Sequence, residues 1–180
     1  MNKISELTAL SLSIGSLAGV ATFLAVGPTA GLYLIWAATV AWAAYFALGA
    51  NKAALDNVMI CGAFGVGMAW LTAVLISNVA NSGAFSLLAS LAVAVSVVVV
   101  CLAAHFPKLA CIPASVLGYS CTFAYLLQTP GKFTPDALLS ISWGNPLLIV
   151  NVSIVIGAYF GLASGIFSGK ILEFARSKGF

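Results

Sequence analysis

Six stretches of mostly apolar residues follow one another along the chain, at Leu7–Val26, Gly31–Gly49, Asp56–Ser77, Ala84–Phe106, Leu109–Leu127 and Pro146–Lys170. Each has about the 20 residues that an α-helix needs to cross a hydrocarbon layer ~30 Å thick. Between them there is little else. Only 6% of the 180 residues are charged, against about a quarter in soluble domains, and the mean hydropathy is +1.13. So little charge cannot cover a water-exposed surface. The chain reads as an all-α integral membrane protein, a single domain over residues 1–180 built as a bundle of six transmembrane helices with the lipid bilayer as its solvent.

The connections fit that reading. Gly27–Ala30 and Asn78–Gly83 are short and rich in turn formers, so the helices they join are expected to be antiparallel neighbours. The longest connection, Gln128–Asn145, holds Pro130-Gly131 and Thr134-Pro135-Asp136. Within it, Asp136–Trp143 is expected to form a short interfacial helix. The first run follows Lys3 but is longer than the apolar core of a secretory signal, and further runs follow it. It is read as a retained first span.

With six spans, Lys3, Lys52, Lys108, Lys170, Arg176 and Lys178 fall on one side and only Lys132 on the other. Basic residues gather on the cytoplasmic side, so both termini are expected there. The net charge of +3 reflects this loop bias. It does not form the basic patch interleaved with aromatics that nucleic acid requires.

The sixth run carries Gly157, Gly161, Gly165 and Gly169 at intervals of four. Residues four apart lie on nearly one helix face. In a bilayer, where helices associate by close packing, such a groove lets a neighbour press against the backbone. These four glycines are the expected helix-packing seam, within the chain or between copies in a homo-oligomer. The fourth run, with Val97–Val100, lacks small or polar ridges and suits the lipid-facing periphery.

Groups able to do chemistry are scarce. The acids and bases fall at the ends of the runs or in connections, and the one histidine, His105, sits at the end of the fourth. Cys61, Cys101, Cys111 and Cys121 form no CxxC pair and suit no zinc site. No paired carboxylates and no serine–histidine–aspartate set can be assembled. No catalytic residue, metal site or cofactor is therefore expected, and the chain is not expected to be an enzyme.

What remains is neutral polar and aromatic. In the fifth run, Pro113 fits poorly past a helix's first turn. The run therefore either breaks near Pro113, as helices at solute sites often do, or is an ordinary kinked span. Ser115, Gly118, Tyr119 and Thr122 follow it on the same helix. Trp42 and Tyr45 share one face of the second run, and Asn151 and Gly157 lie in the sixth. These eight residues are the candidates to line a pore or meet a solute, with plain bundle packing as the alternative. Tyr33, Tyr45 and Trp143 are placed near run ends as interfacial aromatics.

The second and fifth runs also carry a resemblance. Trp42-Ala43-Ala44-Tyr45-Phe46 with Gly49, and Ile112-Pro113-Ala114-Ser115 with Gly118, Thr122 and Phe123, resemble the YcdZ-like family of small bacterial inner-membrane proteins. The resemblance covers most of the chain. It implies a multi-pass protein of the bacterial inner membrane and brings no catalytic residues.

Proton or sodium coupling normally needs a titratable or charged ligand at membrane depth, and the runs offer none. The expected function is passive passage of a small neutral or weakly polar solute, through a protomer or along an oligomer axis. Two alternatives stand beside it. One is an ion-coupled transporter using backbone carbonyls at a broken fifth helix; the other is a membrane scaffold or partner subunit.

Overall fold

A computed structural model describes residues 4–79 and 83–178. Lys3 of the charge argument and residues 80–82 of the Asn78–Gly83 connection lie outside the described residues. Among those described there are seven α-helices, two single 3-10 turns and no strand. The helices are α1 (Glu6–Val26), α2 (Ile35–Ala47), α3 (Lys52–Asn78), α4 (Phe85–Leu102), α5 (Ile112–Gln128), α6 (Pro135–Leu139) and α7 (Pro146–Ser177).

Each of the six apolar runs contains one helix, but the expectation of six full spans is corrected. Four helices are long and apolar enough to cross a membrane: Glu6–Val26, Lys52–Asn78, Phe85–His105 and Pro146–Ser177. The last turn of the third is 3-10. The second run yields only the 13 residues of α2, about 20 Å at 1.5 Å per residue. It is cut short by extended Leu34 at one end and by Gly49 (φ 107°) and Ala50 (φ 52°) at the other. The fifth run yields the 17 residues of α5, about 26 Å. A 3-10 turn at Pro107–Leu109 precedes it. Pro113 sits in its first turn, where its missing N–H has no helical partner to lose.

Local chemistry explains where the helices begin. Ser5 caps α1 by accepting the Thr8 N–H at 3.1 Å, and Asn51 caps α3 by accepting the Ala54 N–H at 2.9 Å. Asn145 caps α7 by accepting the Leu147 N–H at 2.9 Å. Each cap satisfies an amide that the first turn would otherwise leave unpaired. The expected interfacial helix over Asp136–Trp143 is shorter, Pro135–Leu139, and Thr134 caps it.

Contacts give the helix directions. Leu34 meets Ser153, while Ala38 meets Gly157 and Tyr45 meets Gly161, so α2 and α7 run parallel. Cys61 meets Lys108 just before α5, and Gly65 meets Ser115 and Tyr119, so α3 and α5 also run parallel. α1 is antiparallel to α7: Ser13 touches Ser164, and Leu24 shares a groove with Val152 and Phe160. The described chain ends therefore lie at one end of the bundle with Lys52 and Lys108. Connection 129–145 lies at the other. One apolar cluster runs through the interior from Ala54 and Val58, past Val66, Cys121 and Ile154, to Leu138. α4 stands at the edge. Its span is 11% buried against 44% for α3, and Ser96 and Val100 are the only residues of that helix that are buried.

Within the chain, two of the four seam glycines meet a neighbouring helix. Gly157 and Gly161 press on α2, but a methyl group at Gly165 or Gly169 would meet nothing within 4 Å. Four-residue steps advance 400° at 100° per residue, so the stripe rotates about 40° per step and has left the α2 contact by its third glycine. The stripe that follows the neighbours is Ser153, Gly157, Gly161, Ser164 and Ser168, all buried, which inserts one three-residue step.

The closest approaches are backbone on backbone. A methyl at Gly65 would overlap the Ser115 carbonyl, one at Gly118 the Gly62 carbonyl, and one at Gly157 the Ala38 carbonyl. Gly65→Ala and Gly157→Ala are each expected to cost about 1–3 kcal/mol, read as a lowered melting temperature of the purified protein. Gly67→Ala, with nothing within 4 Å, is expected to stay within about 0.5 kcal/mol of the parent.

Candidate functional site

The eight candidate residues fall into two helix seams rather than around one opening. Trp42, Tyr45 and Gly157 lie in the α2–α7 seam. Ser115, Gly118, Tyr119 and Thr122 lie on the α5 face that meets α3 and α4. Asn151, half-buried on α7, donates to the Leu147 carbonyl one turn back at 2.8 Å. In hydrocarbon that local bond is what a lone amide needs.

The first seam turns on Ser164, on which three helices converge. Its hydroxyl accepts the Trp42 Nε1–H at 3.0 Å and donates to the Gly161 carbonyl at 2.8 Å. Its own carbonyl accepts the Ser13 hydroxyl of α1 at 2.7 Å. Trp42 also stacks on Phe160, with ring centroids 5.5 Å apart and planes 23° from parallel. One turn beyond Gly157, the Ser153 hydroxyl accepts the Leu34 N–H at 2.8 Å and donates to the Ile149 carbonyl at 2.6 Å. It thereby satisfies an amide left free where α2 starts late. Tyr45 packs against Gly161, with a ring atom 2.7 Å from where a methyl would stand. Tyr45 and Tyr33 are both buried and serve as packing groups, with the Tyr33 hydroxyl donating to the Ala21 carbonyl at 2.6 Å. Trp143, by contrast, is exposed, and its indole N–H reaches the Leu32 carbonyl at 3.0 Å.

In the second seam the Thr122 hydroxyl donates to the Gly118 carbonyl at 2.9 Å. The Tyr119 and Ser96 hydroxyls share a hydrogen bond of 2.7 Å, tying α4 to α5. Ser115 differs. It is fully buried, and its hydroxyl is the one buried side-chain polar atom among the described residues without a hydrogen-bond partner. A buried hydroxyl left unmatched costs about 1–3 kcal/mol unless something meets it.

The surface grooves lie elsewhere. The α3–α4 groove, about 550 Å³, is lined by residues that include Met68, Thr72, Leu75, Leu91 and Val95. Of the eight candidates, Trp42 alone lines one of the five grooves found, a space of about 250 Å³ beside Ile14, Ala18 and Phe46. Among the described residues no three of His, Cys, Asp and Glu come together. The four cysteines are unpaired, with Cys61 and Cys121 buried.

Sequence reasoning passed over Ser153, Ser164 and Asn145. The first two could have been found from the Ser153–Gly157–Gly161–Ser164 stripe. Asn145 was legible only as a cap, because its other partners are main-chain carbonyls of the irregular segment just before it.

A family model described as "Protein of unknown function (DUF1097)" matches residues 11–169. No curated protein matches the chain. No solved structure matches it.

Removing the Ser164 hydroxyl tests the three-helix junction. Ser164→Ala leaves the buried Trp42 N–H without its acceptor and is expected to cost about 1–3 kcal/mol. Trp42→Phe should cost less in the Ser164→Ala background than in the parent, a coupling that a double-mutant cycle on unfolding free energies measures.

Proposed function

The chain belongs to the DUF1097 family, whose function is unknown, and we propose that it is a membrane-embedded passive facilitator for small neutral or weakly polar solutes. The supporting observation is the kind of polar group the bundle buries. Among the described residues these are serine, threonine and tyrosine hydroxyls, the Trp42 indole, the Cys61 and Cys121 thiols and the Asn145 amide, with no acid, lysine, arginine or histidine. Hydroxyls and amides can exchange hydrogen bonds with a neutral solute. They offer no proton to relay and no fixed charge to bind a driving ion. The Ser115 hydroxyl, with the Cys61 thiol beside it and no stronger partner, is the buried hydroxyl with most to gain from a neutral solute. The apolar interior makes the described arrangement a closed one.

In this reading the protein does no covalent chemistry. Its basic end, with Lys52, Lys108, Lys170, Arg176 and Lys178, faces the cytoplasm. In this reading the short helices α2 and α5 also cross, packed against α7 and α3. The membrane in this reading is a bacterial inner membrane, the expectation that goes with the resemblance to YcdZ-like proteins. Gly15 and Gly19 on α1, with Gly165 and Gly169 on α7, have open space beside them and suit contact with a second copy. Those same open faces favour a second reading, a packing partner for another membrane protein.

The purified protein in liposomes separates the readings. Small polyols and amides are expected to equilibrate faster than in protein-free liposomes, at a rate unchanged by collapsing a proton or sodium gradient. Ser115→Ala, which removes the hydroxyl without adding bulk to the seam, is expected to slow them at an unchanged melting temperature. Gradient-dependent uptake would falsify the passive reading, and flux no faster than in empty liposomes would favour the packing partner.

A further inference from the structure

At the end of the bundle away from the chain termini, α6 is held by hydrogen bonds that the passage reading does not use. α6 drops Leu138 into the bundle, where the side chain is fully buried in the main apolar cluster with Tyr125, Ile149 and Val150. The Leu138 carbonyl, in the last turn of α6, accepts two N–H donors from two different long helices. Trp70 Nε1 of α3 donates at 2.8 Å and Asn145 Nδ2, at the head of α7, at 2.9 Å. Both lone pairs of that oxygen are thereby used. The same Asn145 amide donates to the Ser140 carbonyl at 2.8 Å, and the Tyr125 hydroxyl of α5 holds the Gly144 carbonyl at 2.9 Å. Leu139 and Ile141, flanking this hold, are exposed. The segment thus has one leucine seated inward and leaves the bundle through a turn at Gly131, whose φ of 74° suits glycine.

We propose that α6 is a lid on this end of the bundle, with Leu138 as its plug and the paired Trp70 and Asn145 donors as its latch. The purpose of the lid rests on the passage reading, but the latch is measured without any flux. An apolar plug shuts a narrow path by keeping water out, and lids of this size open on the microsecond-to-millisecond scale. The net worth of one protein hydrogen bond corresponds to about a fivefold change in an opening equilibrium.

The test uses the full-length protein in lipid nanodiscs, a membrane-impermeant maleimide, and peptide mass spectrometry to read each labelled position. Leu138→Cys is expected to react at least tenfold more slowly than Ile141→Cys. Adding Trp70→Phe, which keeps the ring and loses the donor, should speed labelling at position 138 about fivefold. Adding Asn145→Ser, which keeps a good helix cap but cannot reach either carbonyl, should speed it about tenfold. Fully buried native Cys61 reports global unfolding. Labelling at position 138 that matches position 141 in the parent, or ignores both variants, or rises only in step with Cys61, overturns the latch. If position 138 opens in the variants and solute flux rises with it, both readings stand. If it opens at unchanged flux, the lid stands and the passage reading falls.

Discussion

Everything in this fold depends on backbones that touch. Lipid tails are as apolar as leucine, so helices in a bilayer gain little from burying apolar surface against each other and much from close packing. Gly62, Gly65 and Gly118 provide that approach between α3 and α5, and Gly157 and Gly161 provide it between α7 and α2. The two pairs run parallel and share α7 as a common neighbour, because Ile154 of α7 packs onto Gly62 of α3. Short α2 and α5 therefore sit within the bundle while α1 and α4 lie outside it. This arrangement also explains how a 13-residue helix persists in hydrocarbon. Its exposed first amide at Leu34 is met by Ser153, from the very helix that its glycine contact brings close.

Side-chain hydrogen bonds play a second role. Ser11, Thr72, Ser90 and Thr122 each donate to a carbonyl four residues back in their own helix, which satisfies the hydroxyl and ties nothing together. Ser13, Ser153 and Ser164 cross between helices. Measured values for such interhelical bonds average about 0.6 kcal/mol, far less than the cost of an overlapping backbone. They orient helices that packing has already brought together. Trp42, locked between Phe160 and Ser164, is placed by both effects and fixes the rotation of α2.

How much of this was legible in the residues follows from what hydropathy measures. It measures a run's affinity for lipid, so all six runs could be located and α4 could be assigned to the edge. It does not register where a helix stops inside a run. Gly49, Ala50 and Asn51 turn the chain with positive φ at the first two, and that turn reads as a run's end only once the next cap at Asn51 is recognised. Pro113 was legible as a disturbance, and a first-turn position accommodates it. The glycine stripe was visible, but only Gly157 and Gly161 of it follow the α2 contact within the chain. A strict four-residue step leads around the helix, and the serines that complete the true stripe look like ordinary small residues until Gly161 to Ser164 is counted as three. Of the candidate residues, Tyr45 was expected near an interface and is packed inside. The Ser115 hydroxyl stands apart for lacking a partner, which no pattern in a single chain announces.

The two ends of the bundle are built on different physics, and that difference constrains any motion it undergoes. At the basic end the groups are exposed and held loosely. Lys52 and Asp56 form the one ion pair seen among the described residues, in a solvated position where such pairs contribute little. At the far end α3, α5 and α7 each donate to main-chain carbonyls of one connection. The glycine contacts at mid-depth cannot loosen by degrees, because a carbonyl resting on a glycine has no side chain through which to yield. Hydrogen bonds at the bundle's end can be exchanged for bonds to water at small net cost. Rigid seams at mid-depth and exchangeable hydrogen bonds at this end make the segment around α6 the part whose release would leave the helices in place.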